Sequence, residues 1–266
     1  MPEKRRSLKE LAEDPHHIPG IFNYCDRWCE RCPATSRCLL YATEQAQGAG
    51  DPASRDIRNQ AFWKRLEAMF REAREMLEEM MEERGIELEP TNPEEIRKWT
   101  QRHDDARKHP LALKATEYGH AVGTWLERAA PRLRQHGESL ARQLEMELPG
   151  VDPEGEARRL KDAVEVLEWY QYQIGVKLSR AVSSALPGED ENFPVERSDA
   201  DGSAKVALIG IDRSLLAWAE LLRQLPDEED ECLPRLATLS ALRRDVEGTF
   251  PLARAFVRPG FDTGEV

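Results

Sequence analysis

The sequence holds no apolar run approaching the roughly 18 residues that a membrane-spanning helix needs, and Met1 to Asp14 are charged, without the apolar core of a secretory signal. Aromatic residues are scarce at 7%, which disfavours a sandwich of half-buried strands. Positive charge is in deficit: 38 Lys and Arg face 50 Asp and Glu, a formal charge of −12. A phosphate-neutralising surface would be a local exception to that acidic whole, so no nucleic acid partner is expected. Also missing are a glycine-rich phosphate cradle, a nucleophilic serine or cysteine motif and an internal repeat of fixed period. These absences lead to the expectation of a cytoplasmic chain that meets neither membrane nor nucleic acid.

Present instead are 33% charged and 40% hydrophobic residues over 266 positions, enough to bury the core of one large domain or two small ones. Residues 1 to 20 predict a short helix and then an irregular connector at Pro15, His16, His17, Pro19 and Gly20. Residues 47 to 54 form a break, with Ser54 available as a helix cap. From about Ala53 to Arg84, Phe62, Leu66, Met69, Ala73, Met76 and Met80 recur at steps of 4, 3, 4, 3 and 4, a heptad stripe. Trp63, Phe70, Leu77 and Met81 widen it, and Gly85 supplies a stop. The spacing predicts core packing, methionines included, rather than ligand roles.

Asn92-Pro93-Glu94-Glu95 caps a further helix that ends before Pro110. Residues 111 to 147 predict a long helix, kinked at Pro131, with Leu111, Ala115, Tyr118, Val122, Trp125 and Ala129 on one stripe. Gly119 and Gly123 would let another helix approach closely there. A helix from Asp152-Pro153-Glu154 to about Leu186 is apolar almost all round after Val164 and should be central. Residues 187 to 201 read as a polar connector, and Ser203 to Leu225 as a second central helix. The acidic run Asp227 to Glu231 reads as a solvated turn, Leu233 to Val246 as a last helix, and the tail after Pro251 as loosely docked. The sum is an all-α, antiparallel helical bundle of about six helices over residues 51–266, preceded by an arm and a cysteine-rich metal-binding segment over residues 1–50.

That segment carries the functional signal. Cys25, Cys29, Cys32 and Cys38 are spaced C-x3-C-x2-C-x5-C, four of the chain's five cysteines within 14 residues. In a cytosolic chain such a cluster points to metal binding before disulfides or plain buried thiols. If Phe22 to Cys32 is helical, Cys25, Cys29 and Cys32 share one face, and Pro33 turns the chain so that Cys38 returns. The outer two Cα atoms would then stand about 10.5 Å apart along the axis. Zinc needs its sulfurs only about 3.8 Å apart, so it would break that helix, whereas a [4Fe-4S] cluster spreads its thiolates further. The expected cofactor is therefore a [4Fe-4S] cluster, with zinc as the alternative. Phe22, Tyr24 and Trp28 would shield it from solvent. Arg27, Arg31 and Arg37 would either offset its negative charge or pair with Asp26 and Glu30, the plainer reading.

The ten residues Cys29-Glu-Arg-Cys32-Pro-Ala-Thr-Ser-Arg-Cys38 resemble the C-x2-C-x5-C segment that binds [4Fe-4S] in RecB-type nucleases and in auxiliary-cluster domains of radical-SAM enzymes. The resemblance implies cluster binding. Cys25, Cys29 and Cys32 also match the C-x3-C-x2-C spacing of the radical-SAM motif, but no alternating strand and helix pattern follows. Cys38 would also occupy the iron that such enzymes leave open. No nuclease set of carboxylates and lysine on strands is found either.

Elsewhere, Glu117-x-x-His120 places a carboxylate and an imidazole on one helix face, as in di-iron bundles. Glu165, Glu168 and Asp212 are its candidate companions for a second metal or substrate site. The plainer reading leaves Glu117 and His120 solvated and pairs Asp212, buried on the stripe Leu208, Leu215, Ala219 and Leu222, with Lys177, Arg180 or Lys205. His16 and His17 should be exposed, available only as alternate ligands, and Cys232 is a weak redox candidate in the acidic turn. The functional expectation is an iron-sulfur protein whose cluster transfers electrons, senses redox state or is structural, with a redox or protein partner. The alternatives are a zinc-stabilised interaction scaffold, or a metalloenzyme using the carboxylate and histidine set.

Overall fold

A computed structural model describes residues 8–46, 56, 58–86, 92–147, 149–186 and 197–262. Among these residues every regular element is helical and no strand occurs. Eight α-helices are present among them: α1 Leu8–Ala12, α2 Leu39–Ala46, α3 Gln60–Arg84, α4 Pro93–Lys108, α5 Pro110–Glu145, α6 Pro153–Ala185, α7 Arg197–Gln224 and α8 Glu229–Thr249. Six of them, α3 to α8, fall within residues 51–266, and α1 is the short helix expected in residues 1 to 20; α2, just after the cysteine segment, was not expected. No helix among the described residues is long and apolar enough to cross a membrane.

The chain divides into two compact units, one of Met1–Glu95 with Val257–Val266 and one of Ile96–Phe256. The boundary expected at residue 50, like the break at 47–54 and its cap Ser54, lies outside the described residues. In the first unit, α3 starts at Gln60, where the Asn59 side chain accepts from the Ala61 amide at 3.0 Å. It ends at Gly85, whose left-handed φ of 63° lets the Ile86 amide turn back to the Met81 carbonyl. The heptad stripe forms a helix but not a core. No residue of α3 is buried, and α1 is the helix packed along it. Leu8 N donates to Glu72 at 2.8 Å and Lys9 pairs with Glu79 and Glu83, so α1 lies along a charged edge and leaves much of the apolar face uncovered.

In the second unit α6 packs against both α5 and α7, and α8 against α5 and α7. The expected α5 stripe of Leu111, Ala115, Tyr118, Val122, Trp125 and Ala129 is buried throughout. Gly119 lets α6 approach so closely that a Cβ on it would stand 2.4 Å from the Gln171 carbonyl oxygen. α6 buries Leu160, Ala163, Leu167, Tyr170, Ile174 and Leu178, while Tyr172 and Val176 face solvent. Trp125 and Trp218 meet edge to face at 4.7 Å, and Trp218 Nε1 donates to the Tyr118 hydroxyl at 3.0 Å. Burial pushes the Tyr118 phenol up to about 12.

Three expectations change here. α7 begins at Arg197 rather than Ser203, and residues 187–196 of the connector lie outside the described residues. The acidic run is not wholly solvated. Glu228 is only 4% exposed and accepts from Trp125 Nε1 and from Arg132, so it neutralises one donor and one cation at the α5 surface. The chain after Pro251 is docked: Ala253 is buried, Arg254 bridges Asp212 and Glu247, and Lys205 Nζ donates to the Phe256 carbonyl at 2.5 Å.

The C-terminal turn of α7 is tied by Glu220, which accepts from Arg223 at 2.8 and 3.0 Å and from Gln224 at 2.5 Å, and faces Arg159 of α6 at 3.4 Å. Hydrogen bonds from Arg223 hold its carboxyl down at about 2, against an ordinary value of 4.5. A carboxyl depressed on folding adds stability that is complete above the unfolded value and lost as pH falls through the folded one. Glu220→Gln is therefore expected to flatten the loss of stability between about pH 4.5 and 2. Urea titrations read by far-UV circular dichroism at several acid pH values check this; an unchanged slope would refute it.

Candidate metal centre

Short-range chemistry gives the cysteine segment an irregular path. Gly20, at φ 73°, turns the chain into a 3₁₀ turn at Ile21–Tyr24, after which Cys25 is extended. The Asp26 carboxylate accepts from the Trp28 amide at 3.2 Å, an Asx turn, and Arg27 takes a left-handed φ of 62°. Two further 3₁₀ turns follow, Cys29–Arg31 and Thr35–Arg37, closed by the Cys32 amide on Cys29 O and the Cys38 amide on Thr35 O. The continuous helix expected over Phe22 to Cys32 does not form, because two local turns compete successfully with it. The three cysteines therefore do not lie on a helical stripe, and the distance argument built on one does not apply.

The path nevertheless brings Cys25, Cys29, Cys32 and Cys38 to one pocket. All four are half-buried and all are thiols rather than disulfides. They share the lining of one small pocket, a cavity of about 20 Å³, with Ile21, Phe22, Trp28, Tyr41 and Phe261 among the other walls. Burial pushes the Cys29 thiol up to about 11, with Arg27 pulling the other way, and raises Cys32 as well. Charge on Cys25 and Cys38 is a smaller part of the rise at both. Cys25 Sγ contacts the Phe22 carbonyl at 3.4 Å. Among the described residues no three His, Cys, Asp or Glu side chains are gathered as a group that could hold a metal ion. The four cysteines line one pocket without being drawn together as a ligand group.

Of the three expected aromatic shields, Phe22 and Trp28 line the pocket and Tyr24 does not. Tyr41 and Phe261 were missed. Tyr41 stands three residues beyond Cys38 on α2 and was within reach of a local reading; Phe261 lies 223 residues past Cys38 and gave no signal. Its chain is held by Gly260, at φ 72°, where a Cβ would come within 2.7 Å of both Ile18 and Ile21. Ile18, Ile21 and Ala34 form the buried floor beneath Phe22, Cys32, Cys38 and Phe261. Arg27 pairs with Glu44 at 2.7 Å, Arg31 stacks 4.0 Å over the Trp28 ring, and Arg37 Nε donates to the His16 carbonyl.

The other candidates do not assemble. Glu117 and His120 are exposed beside buried Tyr118, and His120 meets the Tyr172 ring at 6.2 Å. Glu165 faces Lys161 along α6 at 3.7 Å, and Glu168 is exposed. Asp212 is half-buried and pairs with Arg254 at 2.6 Å and Arg243 at 3.5 Å, not with Arg180 or Lys205, which hold Asp199 and the Phe256 carbonyl. His16 is exposed as expected, but His17 is half-buried with Nδ1 2.9 Å from the Leu11 carbonyl. Cys232 is fully buried in α8, not in a turn, and burial pushes its thiol up to about 11, which makes it a poor nucleophile. No protein-family model matches the chain, and no curated protein or solved structure matches it.

Proposed function

We propose that the protein binds one [4Fe-4S] cluster through Cys25, Cys29, Cys32 and Cys38, for electron transfer, redox sensing or the ordering of its N-terminal segment. One observation carries the reading: the four thiols line a single pocket with apolar walls. An all-thiolate donor set is what such clusters take, and apolar walls limit solvent access and so tune potential. The C-x2-C-x5-C spacing of Cys29, Cys32 and Cys38, which resembles that of [4Fe-4S]-binding segments, favours a cluster over one ion, whose ligands must close to about 3.8 Å of each other. Thiols raised by burial would surrender their protons on loading, so binding releases protons and is favoured by higher pH. Accessible reduced thiols belong in a reducing compartment, which favours the cytoplasm. Helices α5 to α8 are read as an antiparallel bundle that accompanies this segment.

Zinc is the second reading, and the 3₁₀ turns favour it, since a chain free of a continuous helix can contract around a small ion. Anaerobic isolation followed by metal analysis separates the two. A brown protein with about four irons per chain and broad absorbance near roughly 400 nm is expected. A colourless protein with stoichiometric zinc would overturn the cluster and leave a zinc-fixed interaction scaffold.

A further inference from the structure

The apolar face of α3 is the feature that the proposed cluster leaves unused. Trp63, Phe70 and Leu77, spaced by seven, are 53%, 68% and 49% exposed, while Leu66, Met69 and Met76 beside them are half-buried. At 3.6 residues per turn these residues make one continuous stripe along a helix of 25 residues, about 37 Å long. Isolated exposed apolar side chains need no explanation, but a stripe of this length marks a contact surface.

Charge selects the occupant. On the flank beside Trp63, Phe70 and Leu77, the first half of α3 presents Lys64 and Arg71 with Glu67, a net positive charge, and the second half presents Glu75, Glu78 and Glu82 with Arg74, a net negative one; all seven are exposed. A second α3 laid antiparallel sets each basic half against an acidic half, twice over, about a two-fold axis. A parallel two-fold pairing would turn this flank away from its own copy and forgo the match. The Arg74–Glu78 pair within the helix, at 2.7 Å, is largely exposed and weakly held, so it does not prevent exchange across the contact. A two-fold contact of this kind is self-complementary, as closed dimers require.

We infer that α3 is a homodimerisation surface on which a second copy of this chain seats its own α3 antiparallel, with Trp63, Phe70 and Leu77 at the centre. The test is sedimentation equilibrium on the full chain, as isolated, up to about 100 µM, above the micromolar limit of standard-size interfaces. Wild type is expected to be dimeric. Phe70→Glu, at an exposed position, should keep the helical circular dichroism and raise the dimer dissociation constant by about tenfold or more, as removal of a central aromatic does. Glu75→Lys, Glu78→Lys and Glu82→Lys together should weaken the dimer. Adding Lys64→Glu, Arg71→Glu and Arg74→Glu should restore it, and the restored protein should not mix with wild type. A monomer throughout, or a dimer indifferent to Phe70→Glu, overturns the surface. Preferential mixing of wild type with the fully reversed variant overturns the antiparallel arrangement.

Discussion

Replacing Cys32 with serine is expected to strip the metal from the protein while leaving its larger helical unit intact. Serine keeps the size of the side chain and removes the thiolate, since its hydroxyl does not ionise near neutral pH as a metal-facing thiol does. Loss of an outer partner of a ligand already costs about 10–100-fold in metal affinity, so loss of a ligand should cost at least that. Iron per chain should therefore fall by more than about tenfold, and the absorbance near roughly 400 nm with it. The same result is expected for Cys29→Ser, because both sulfurs line the same pocket. Cys232→Ser is the control: that residue is buried in α8, within the other compact unit, and should keep full iron. The core of Ile96–Phe256 is built from Trp125, Leu167, Tyr170, Leu208, Ile211 and Trp218, so its unfolding transition should survive the cysteine changes. Residues around Ile18 to Cys38 should instead become sensitive to limited proteolysis. Undiminished iron in either Cys29→Ser or Cys32→Ser would remove the quartet as the ligand set.

How far the sequence could be read depended on whether the deciding contact was local. The α5 stripe and the caps at Asn92 and Asp152 were legible, because periodicity and end signals act within a turn or two. The cysteine segment was misread as helix although Asp26, two residues before Trp28, is an Asx-turn signal that breaks one. α3 shows the limit of a periodic stripe: it states which face is apolar and not what covers it. Asp212 was placed in the core from the stripe Leu208, Leu215, Ala219 and Leu222. The buried stripe is instead Ala204, Leu208, Ile211, Ser214, Trp218 and Leu221. That rotation of less than half a turn moves Asp212 to the edge, where Arg243 and Arg254 reach it. Both partners lie beyond the end of α7, 31 and 42 residues on, and Trp125 for Glu228 and Phe261 for the cysteine pocket are farther away still. No pattern within a window of a few turns names such partners.

Gly119 is where one atom decides how α5 and α6 meet, and Gly119→Ala is expected to be among the most damaging small substitutions in the larger unit. The added Cβ would stand 2.4 Å from the Gln171 carbonyl oxygen and 3.2 Å from its carbon, both backbone atoms of a neighbouring helix. A side chain in that position could swing aside; a helix backbone moves only by shifting the helix, and α6 is also packed against α7. Overpacking of this kind costs about 1–3 kcal/mol and occasionally more. Alanine is intrinsically the better helix former by about 0.5–1 kcal/mol, so the measured loss will be the difference between the two. Gly137 lies on the same helix with nothing within 4 Å of its Cβ position, so Gly137→Ala isolates the propensity effect and should stabilise by about that smaller amount. Urea unfolding of both variants, followed by far-UV circular dichroism, should move the midpoints in opposite directions. If Gly119→Ala instead stabilises the unit as Gly137→Ala does, the helices are not in backbone contact at this point, and the close packing of α5 on α6 is wrong.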